Sequence, residues 1–90
     1  MLNQFVLVGR VNKINKINDK DYKVTLEIPR PFKNKNGEYE NDYVDVIVKR
    51  EVTKTTMECV VNNDIIGVKG RFVKTVDMTT LELNVEKLYF

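Results

Sequence analysis

The sequence predicts an all-β protein: a five-stranded barrel with one short helix between the third and fourth strands. Three observations carry this. Apolar residues recur with period two in five separate stretches. Turn-forming residues, Asn36-Gly37 above all, punctuate those stretches. Only Glu51 to Val61 has helical spacing. With 90 residues there is material for one hydrophobic core, so residues 1–90 are expected to form a single domain.

The first strand is expected over Leu2 to Val11. Phe5, Leu7 and Val11 fall on one face, Val6 and Val8 on the other. A strand apolar on both faces is covered on both, and in so small a domain the second cover is expected to be another subunit. Gly9 within it marks a bulge or sharp bend. The polar run Asn12 to Asp21 reads as a loop with loose strand ends. The second strand, Tyr22 to Ile28, alternates Tyr22, Val24, Leu26 and Ile28 with Lys23, Thr25 and Glu27, a half-buried antiparallel pattern. Pro29-Arg30-Pro31 interrupts its ladder, because proline has no N–H to donate.

Lys33 to Gly37 forms a hairpin tip. The third strand runs from about Glu40 to Lys49, with Val44, Val46 and Val48 inward and Tyr43, Asp45, Ile47 and Lys49 outward. Over Glu51 to Val61, the residues Val52, Thr56, Cys59 and Val60 make one helical stripe, in which Cys59 acts as a small hydrophobe. Asn62-Asn63-Asp64 turns the chain into a fourth strand, Ile65 to Val73, with Ile66, Val68, Gly70 and Phe72 on one face. Val76 to Met78 reverses it. The fifth strand, Thr80 to Phe90, has Leu81, Leu83, Val85 and Tyr89 inward. Tyr22 and Phe72 are expected in the core.

Composition narrows the function. The chain has no histidine and one cysteine. That removes the commonest general base, any Ser-His or Cys-His nucleophile pair and the usual four-ligand zinc site. The 13 acidic residues are scattered singly among 15 lysines and arginines. No catalytic residue, metal site or cofactor is expected, and the chain is expected not to be an enzyme. A lone cysteine excludes an internal disulfide and suits the reducing cytoplasm. No apolar stretch approaches the ~20 residues of a membrane helix. A net charge of +2 permits a nucleic-acid partner without requiring one.

Five strands with a helix between the third and fourth is the order of an OB-fold. Such barrels bind ligands on the outer face of strands two and three, flanked by the loops joining strands one to two and four to five. Here that surface holds Lys13 to Lys23, Phe32 to Tyr39, Tyr43, Lys49 and Lys74 to Met78.

Along nearly its whole length the chain resembles the bacterial single-stranded DNA-binding protein family. The resemblance rests on the opening Met-Leu-Asn-Gln-Phe-Val-Leu-Val-Gly-Arg-Val and on Val24-Thr25-Leu26 followed by Arg30-Pro31-Phe32 and an Asn-Gly hairpin. It continues through Asn41 to Val48, Asn62 to Phe72 and Leu83 to Phe90. It implies sequence-independent binding of single-stranded DNA in replication, recombination or repair. It also implies a homo-oligomer, tetramer or dimer, joined through the first strand. Replication or repair proteins are further expected partners. The chain departs from the family in a shorter loop after strand one, a short reversal near Asp77, the absence of tryptophan, and a stop before the family's Gly- and Pro-rich linker and acidic tail. Lys49 stands where a third ring often does.

Binding of this kind needs rings that accept bases and cations that track phosphates. The expected rings are Phe32 and Tyr43, with Tyr39 near the hairpin tip. The expected cations are Lys33, Lys35, Lys49, Arg50, Arg10, Lys13, Arg71 and Lys74. If ~4 phosphates are neutralised per subunit, the log-log salt slope is near −3, at ~0.7 per phosphate. Two rival readings stay open: an OB module that docks proteins, as in tail-less primosomal proteins, and one that binds RNA.

Overall fold

A computed structural model describes residues 2–49, 60–75 and 77–89. They form five strands: β1 (Phe5–Lys16), β2 (Asp21–Lys33), β3 (Tyr39–Lys49), β4 (Ile65–Lys74) and β5 (Leu81–Tyr89). The strands close into a barrel in the order β1-β2-β3-β5-β4, with β4 pairing back onto β1. All neighbours are antiparallel except β3 and β5. Among the described residues the β3–β5 join is short, with Ile47 paired to Asn84 and Val48 to Val85. There is no helix among the described residues. The helix expected over Glu51 to Val61 falls, up to Cys59, outside them, and so does Arg50. Val60 is buried in the core and Val61 is exposed, both in irregular chain.

The core follows from period-two alternation. Val24 and Leu26 from β2, Val46 and Val48 from β3, and Ile66 and Val68 from β4 close it off with Phe5, Val11, Val60 and Val85. Leu7, Ile14, Tyr22, Ile28, Val44, Leu83 and Leu88 pack around them.

The structure corrects the sequence reading in four places. First, β1 continues to Lys16 through residues expected to be loop. Lys13 to Lys16 pair with Tyr22 to Thr25, so the ladder, rather than burial, holds this polar extension. Gly9 lies where β1 passes from β4 to β2. A Cβ there would meet Ile28 Cγ1 at 2.8 Å and the Glu27 carbonyl at 2.9 Å. The bulge itself comes later, between Val11 and Lys13.

Second, β2 extends to Lys33. The prolines open the ladder but do not end the strand: pairing with β3 lapses after Pro29 and resumes at Lys33↔Tyr39. Third, Phe72 is 38% exposed and leans edge-on against Phe5, with ring centroids 5.6 Å apart. Fourth, β5 changes faces. Gly70 pairs with Val85 but Lys69 pairs with Lys87, so Glu86 is an extra residue. Alternation inverts beyond such a bulge, which turns Leu88 inward and Tyr89 outward. Leu81, at the barrel mouth, is also exposed.

Candidate nucleic-acid interface

The register of β1, β2 and β3 lays outward side chains in rows across the sheet. Arg10 pairs with Glu27, and Glu27 with Tyr43. Lys13 pairs with Thr25, and Thr25 with Asp45. Asn15 pairs with Lys23, and Lys23 with Ile47. Adjacent strands lie about 4.8 Å apart, so Arg10 stands roughly 10 Å from Tyr43 at backbone level with a carboxylate between them. Tyr43 is 61% exposed in the middle of this face.

Beyond it the β2–β3 hairpin carries the other two rings. Phe32 is 79% exposed and Tyr39 64%. Phe32 sits in the unpaired stretch between Pro29 and Lys33, where no ladder draws it toward the barrel. The Lys33 ammonium lies 5.6 Å from the centroid of Tyr39, a cation–π arrangement. Lys35 is exposed at the tip.

The hairpin is held by an ionic clamp that the sequence reading missed. Arg30 donates through Nε to Asp42 at 2.9 Å and through Nη1 to Glu40 at 3.0 Å. Its Nη2 approaches Asp42 at 2.8 Å. Asn34 donates to the other Glu40 oxygen at 2.9 Å, and its own carbonyl accepts from the amides of Asn36 and Glu38. The hydrogen bond to Asp42, then the charges of Asp42 and Glu40, hold the Arg30 guanidinium above its ordinary pKa. An ideal two-residue hairpin about Asn36-Gly37 would pair Arg30 with Tyr43; the register shift between Pro29 and Lys33 is what brings it to Asp42 and Glu40.

Other acids on the face are held too. Asp45 accepts from Thr25 Oγ1 at 2.6 Å and lies 3.6 Å from the Lys23 ammonium. Glu27 accepts from Asn41 at 2.6 Å.

The expected cations divide by position. Lys33 and Lys35 flank the hairpin rings, and Arg10 and Lys13 share rows with the β3 face. Lys49 closes β3 about 20 Å from Tyr43 at ~3.4 Å per residue. Lys74 ends β4 opposite Leu81, beside the β4–β5 turn. Arg71 is exposed on β4, with β5 between it and β3, so it does not share the face that bears the rings. Among the described residues no cluster of side chains could hold a metal ion, and no helix is long and apolar enough to cross a membrane.

A second exposed surface lies on β1, β4 and β5. Val6 and Val8 point outward, opposite Lys69 and Gly67, and Ile65 stands opposite Arg10. The Tyr89 ring lies against Gly67 beside Val8, and Lys87 reaches over it at 5.8 Å.

No protein-family model matches the chain. It is 36% identical to single-stranded DNA-binding protein B of Bacillus subtilis, over 79% of this chain and 67% of that protein. It is 33% identical to the single-stranded DNA-binding protein of Streptococcus pneumoniae and 30% identical to that of Streptococcus mutans, again over 79% of this chain. The chain spans about half the length of these two relatives, 49% and 46%. Its fold is similar to that of a small single-stranded DNA-binding protein from Mycoplasma pneumoniae, with a TM-score of 0.69 and 18% identity over 100% of this chain and 94% of that one. It is equally similar to the dimeric N-terminal domain of the PriB protein of Thermoanaerobacter tencongensis. There the TM-score is 0.69 and the identity 14%, over 96% of this chain and 92% of that one. At these identities the structural likenesses establish the OB-fold.

Proposed function

Because the chain belongs to the bacterial single-stranded DNA-binding protein family, we propose that residues 1–90 act as one OB-fold domain that binds unpaired DNA without reading its sequence. The role is one of binding, not catalysis, in cytoplasmic replication, recombination or repair. The observation that carries the reading is the exposure of Phe32, Tyr39 and Tyr43 on one hairpin and its adjoining strand face. All three rings are more than half exposed, and every base has a face that can cover them.

Bases stack on these rings while Lys33, Lys35, Lys49, Arg50, Arg10, Lys13 and Lys74 neutralise phosphates. Arg71 serves a strand that continues round the barrel. The protein assembles as a homo-oligomer, dimer or tetramer, through the outer side of β1. The exposed Val6, Val8 and Ile65 support this, since water-facing valines in a row are stabilised by a second copy of the same surface.

The test is titration of fluorescently labelled oligo(dT), oligo(rU) and duplex DNA at two salt concentrations. Preference for oligo(dT), weakened in Tyr43→Ala by the ~1–3 kcal/mol of one stacked base, or roughly 5- to 150-fold, is the expected result. Tighter binding of oligo(rU) would replace DNA by RNA as the ligand, and binding of none of the three would leave protein docking as the role.

A further inference from the structure

Tyr43 is bordered by hydrogen-bond acceptors. Asn41, Tyr43 and Asp45 follow one another on the outward face of β3, and Glu27 stands directly opposite Tyr43 on β2. Side chains paired in this way have Cβ atoms ~5 Å apart, so a base lying on the Tyr43 ring has its edge within reach of Glu27. Two carboxylates therefore flank the ring, although their field weakens the attraction of phosphate.

The two are not equivalent. Both oxygens of Asp45 are engaged, one by the Thr25 hydroxyl at 2.6 Å and the other by the Lys23 ammonium at 3.6 Å. Glu27 is half-buried, and its Oε1 accepts from Asn41 Nδ2 at 2.6 Å. Among the described residues its Oε2 receives no hydrogen bond. A carboxylate can only accept, so the nitrogen of the Asn41 amide has to face it. The pair thus offers a ligand two acceptor oxygens, Glu27 Oε2 and Asn41 Oδ1. Glu27, Asn41 and Arg10 also line a cleft of about 540 Å³, which gives room to the edge of a base that overhangs the ring.

We infer that Glu27, held by Asn41, is a specificity-determining residue: at the position on Tyr43 it selects bases with an exocyclic amino group over thymine and uracil. The inference rests on the reading that the chain binds single-stranded DNA, and deepens it. Cytosine N4, adenine N6 and guanine N2 are donors, whereas thymine presents the acceptor O4, as uracil does. The N3–H of thymine and uracil lies between two carbonyl oxygens, which repel a carboxylate from either side. The bias follows which bases a strand contains and not their order, so binding still reads no sequence. Bracing of the hairpin does not account for the free oxygen, because the hydrogen bond to Asn41 uses Oε1 alone.

The test compares labelled oligo(dC), oligo(dU) and oligo(dT) of one length by anisotropy, at one salt concentration and at a pH where cytosine is neutral. Cytosine and uracil are pyrimidines that differ at N3 and position 4, and oligo(dT) isolates the effect of the methyl group. The parent is expected to bind oligo(dC) roughly 5-fold more tightly than oligo(dU), the worth of one net hydrogen bond. Glu27→Gln keeps an acceptor for Asn41 and puts an amide donor where Oε2 stood, so the ratio should fall to one or below. Asp45→Asn removes a charge from the same face without touching the free oxygen; it should tighten both oligonucleotides and keep the ratio. A role confined to charge or bracing would move both affinities together in Glu27→Gln as well. Equal binding of oligo(dC) and oligo(dU) by the parent, with both weakened in Tyr43→Ala, overturns the selectivity and leaves DNA binding standing; so does a ratio unchanged in Glu27→Gln. If the parent binds none of the three, the reading beneath the selectivity fails and the selectivity with it.

Discussion

Gly70→Ala should be the most damaging single-methyl addition in the barrel, and the structure allows the cost to be worked out. A Cβ at residue 70 would stand 1.9 Å from the Asn84 carbonyl oxygen, 2.8 Å from its carbon and 2.9 Å from Val85 Cα. All three are backbone atoms, so no rotamer change relieves the clash. Ordinary contact begins near 3.4 Å, so β5 must retreat by about 1.5 Å at the point where Gly70 pairs with Val85. Overpacking of this kind costs ~1–3 kcal/mol, and the displaced ladder gives up one or two hydrogen bonds at ~1 kcal/mol each. A total of about 2–5 kcal/mol is a large part of the ~5–13 kcal/mol typical of a chain this size. At ~4–8 °C per kcal/mol, Tm should fall by at least about 8 °C. The control is Gly67→Ala on the same strand, where the nearest atom, Tyr89 Cβ, is at an ordinary 3.5 Å. Thermal melts followed by far-ultraviolet circular dichroism would distinguish them. A Gly70→Ala melt within about 2 °C of the parent, or an equal loss in Gly67→Ala, would refute the reasoning.

Three further outcomes are expected. Asp45→Asn removes a carboxylate from the ring-bearing face and releases Lys23; because that ion pair is half exposed, stability should change by ~1 kcal/mol or less. Oligo(dT) should then bind more tightly, with a salt slope steeper by ~0.7 in a titration series. Val8→Glu puts a charge into the exposed β1 row; if the chain self-associates through that row as proposed, the variant should be monomeric in sedimentation equilibrium where the parent is not, without lowering oligo(dT) binding per subunit at high protein concentration. Asp77 accepts hydrogen bonds from Thr75 and Thr79, which hold its carboxyl below the usual aspartate range. A depressed folded pKa stabilises the turn above the unfolded value and loses that contribution as pH falls through the folded one; carboxyl NMR should therefore show Asp77 titrating late on acidification, and Thr75→Val should move its midpoint up.

How far the sequence spoke for the fold depended on whether alternation was undisturbed. Val24, Leu26, Val46, Val48, Ile66 and Val68 alternate without interruption, and all six lie in the core. Where an extra residue enters the ladder the rule inverts. Glu86 has no pairing partner of its own, so Leu88 and Tyr89 exchange the faces that simple alternation gives them. Nothing in Val85-Glu86-Lys87-Leu88 marks that bulge; opposite it, the missing side chain of Gly70 leaves room for the close approach of Asn84 and Val85. The polar end of β1 was illegible for a related reason. Lys13 to Lys16 are strand because β2 pairs with them, and pairing leaves no mark in composition. The exposure of Tyr43 was legible from alternation along β3, and the hairpin carrying Phe32 and Tyr39 from Asn36-Gly37.

The charges on the ring-bearing face show what kind of binding surface this can be. Glu27, Glu40, Asp42 and Asp45 all lie on β2 and β3 near the rings, and each is engaged by a donor of the protein itself: Asn41, Arg30, or Thr25 with Lys23. A surface selected for long-range attraction of phosphate would not place four carboxylates among its cations, because their field opposes the approach of DNA. The carboxylates brace the hairpin that presents Phe32 and Tyr39, and Asp45 braces the strand between Tyr43 and Ile47. On the proposed reading each carboxylate trades electrostatic attraction for a fixed position of the exposed rings. Rings already held in place lose less conformational entropy when a base covers them. For a domain with a net charge of only +2, the proposed site is therefore expected to draw more on contact with bases than on phosphates, and its salt slope to be correspondingly shallow.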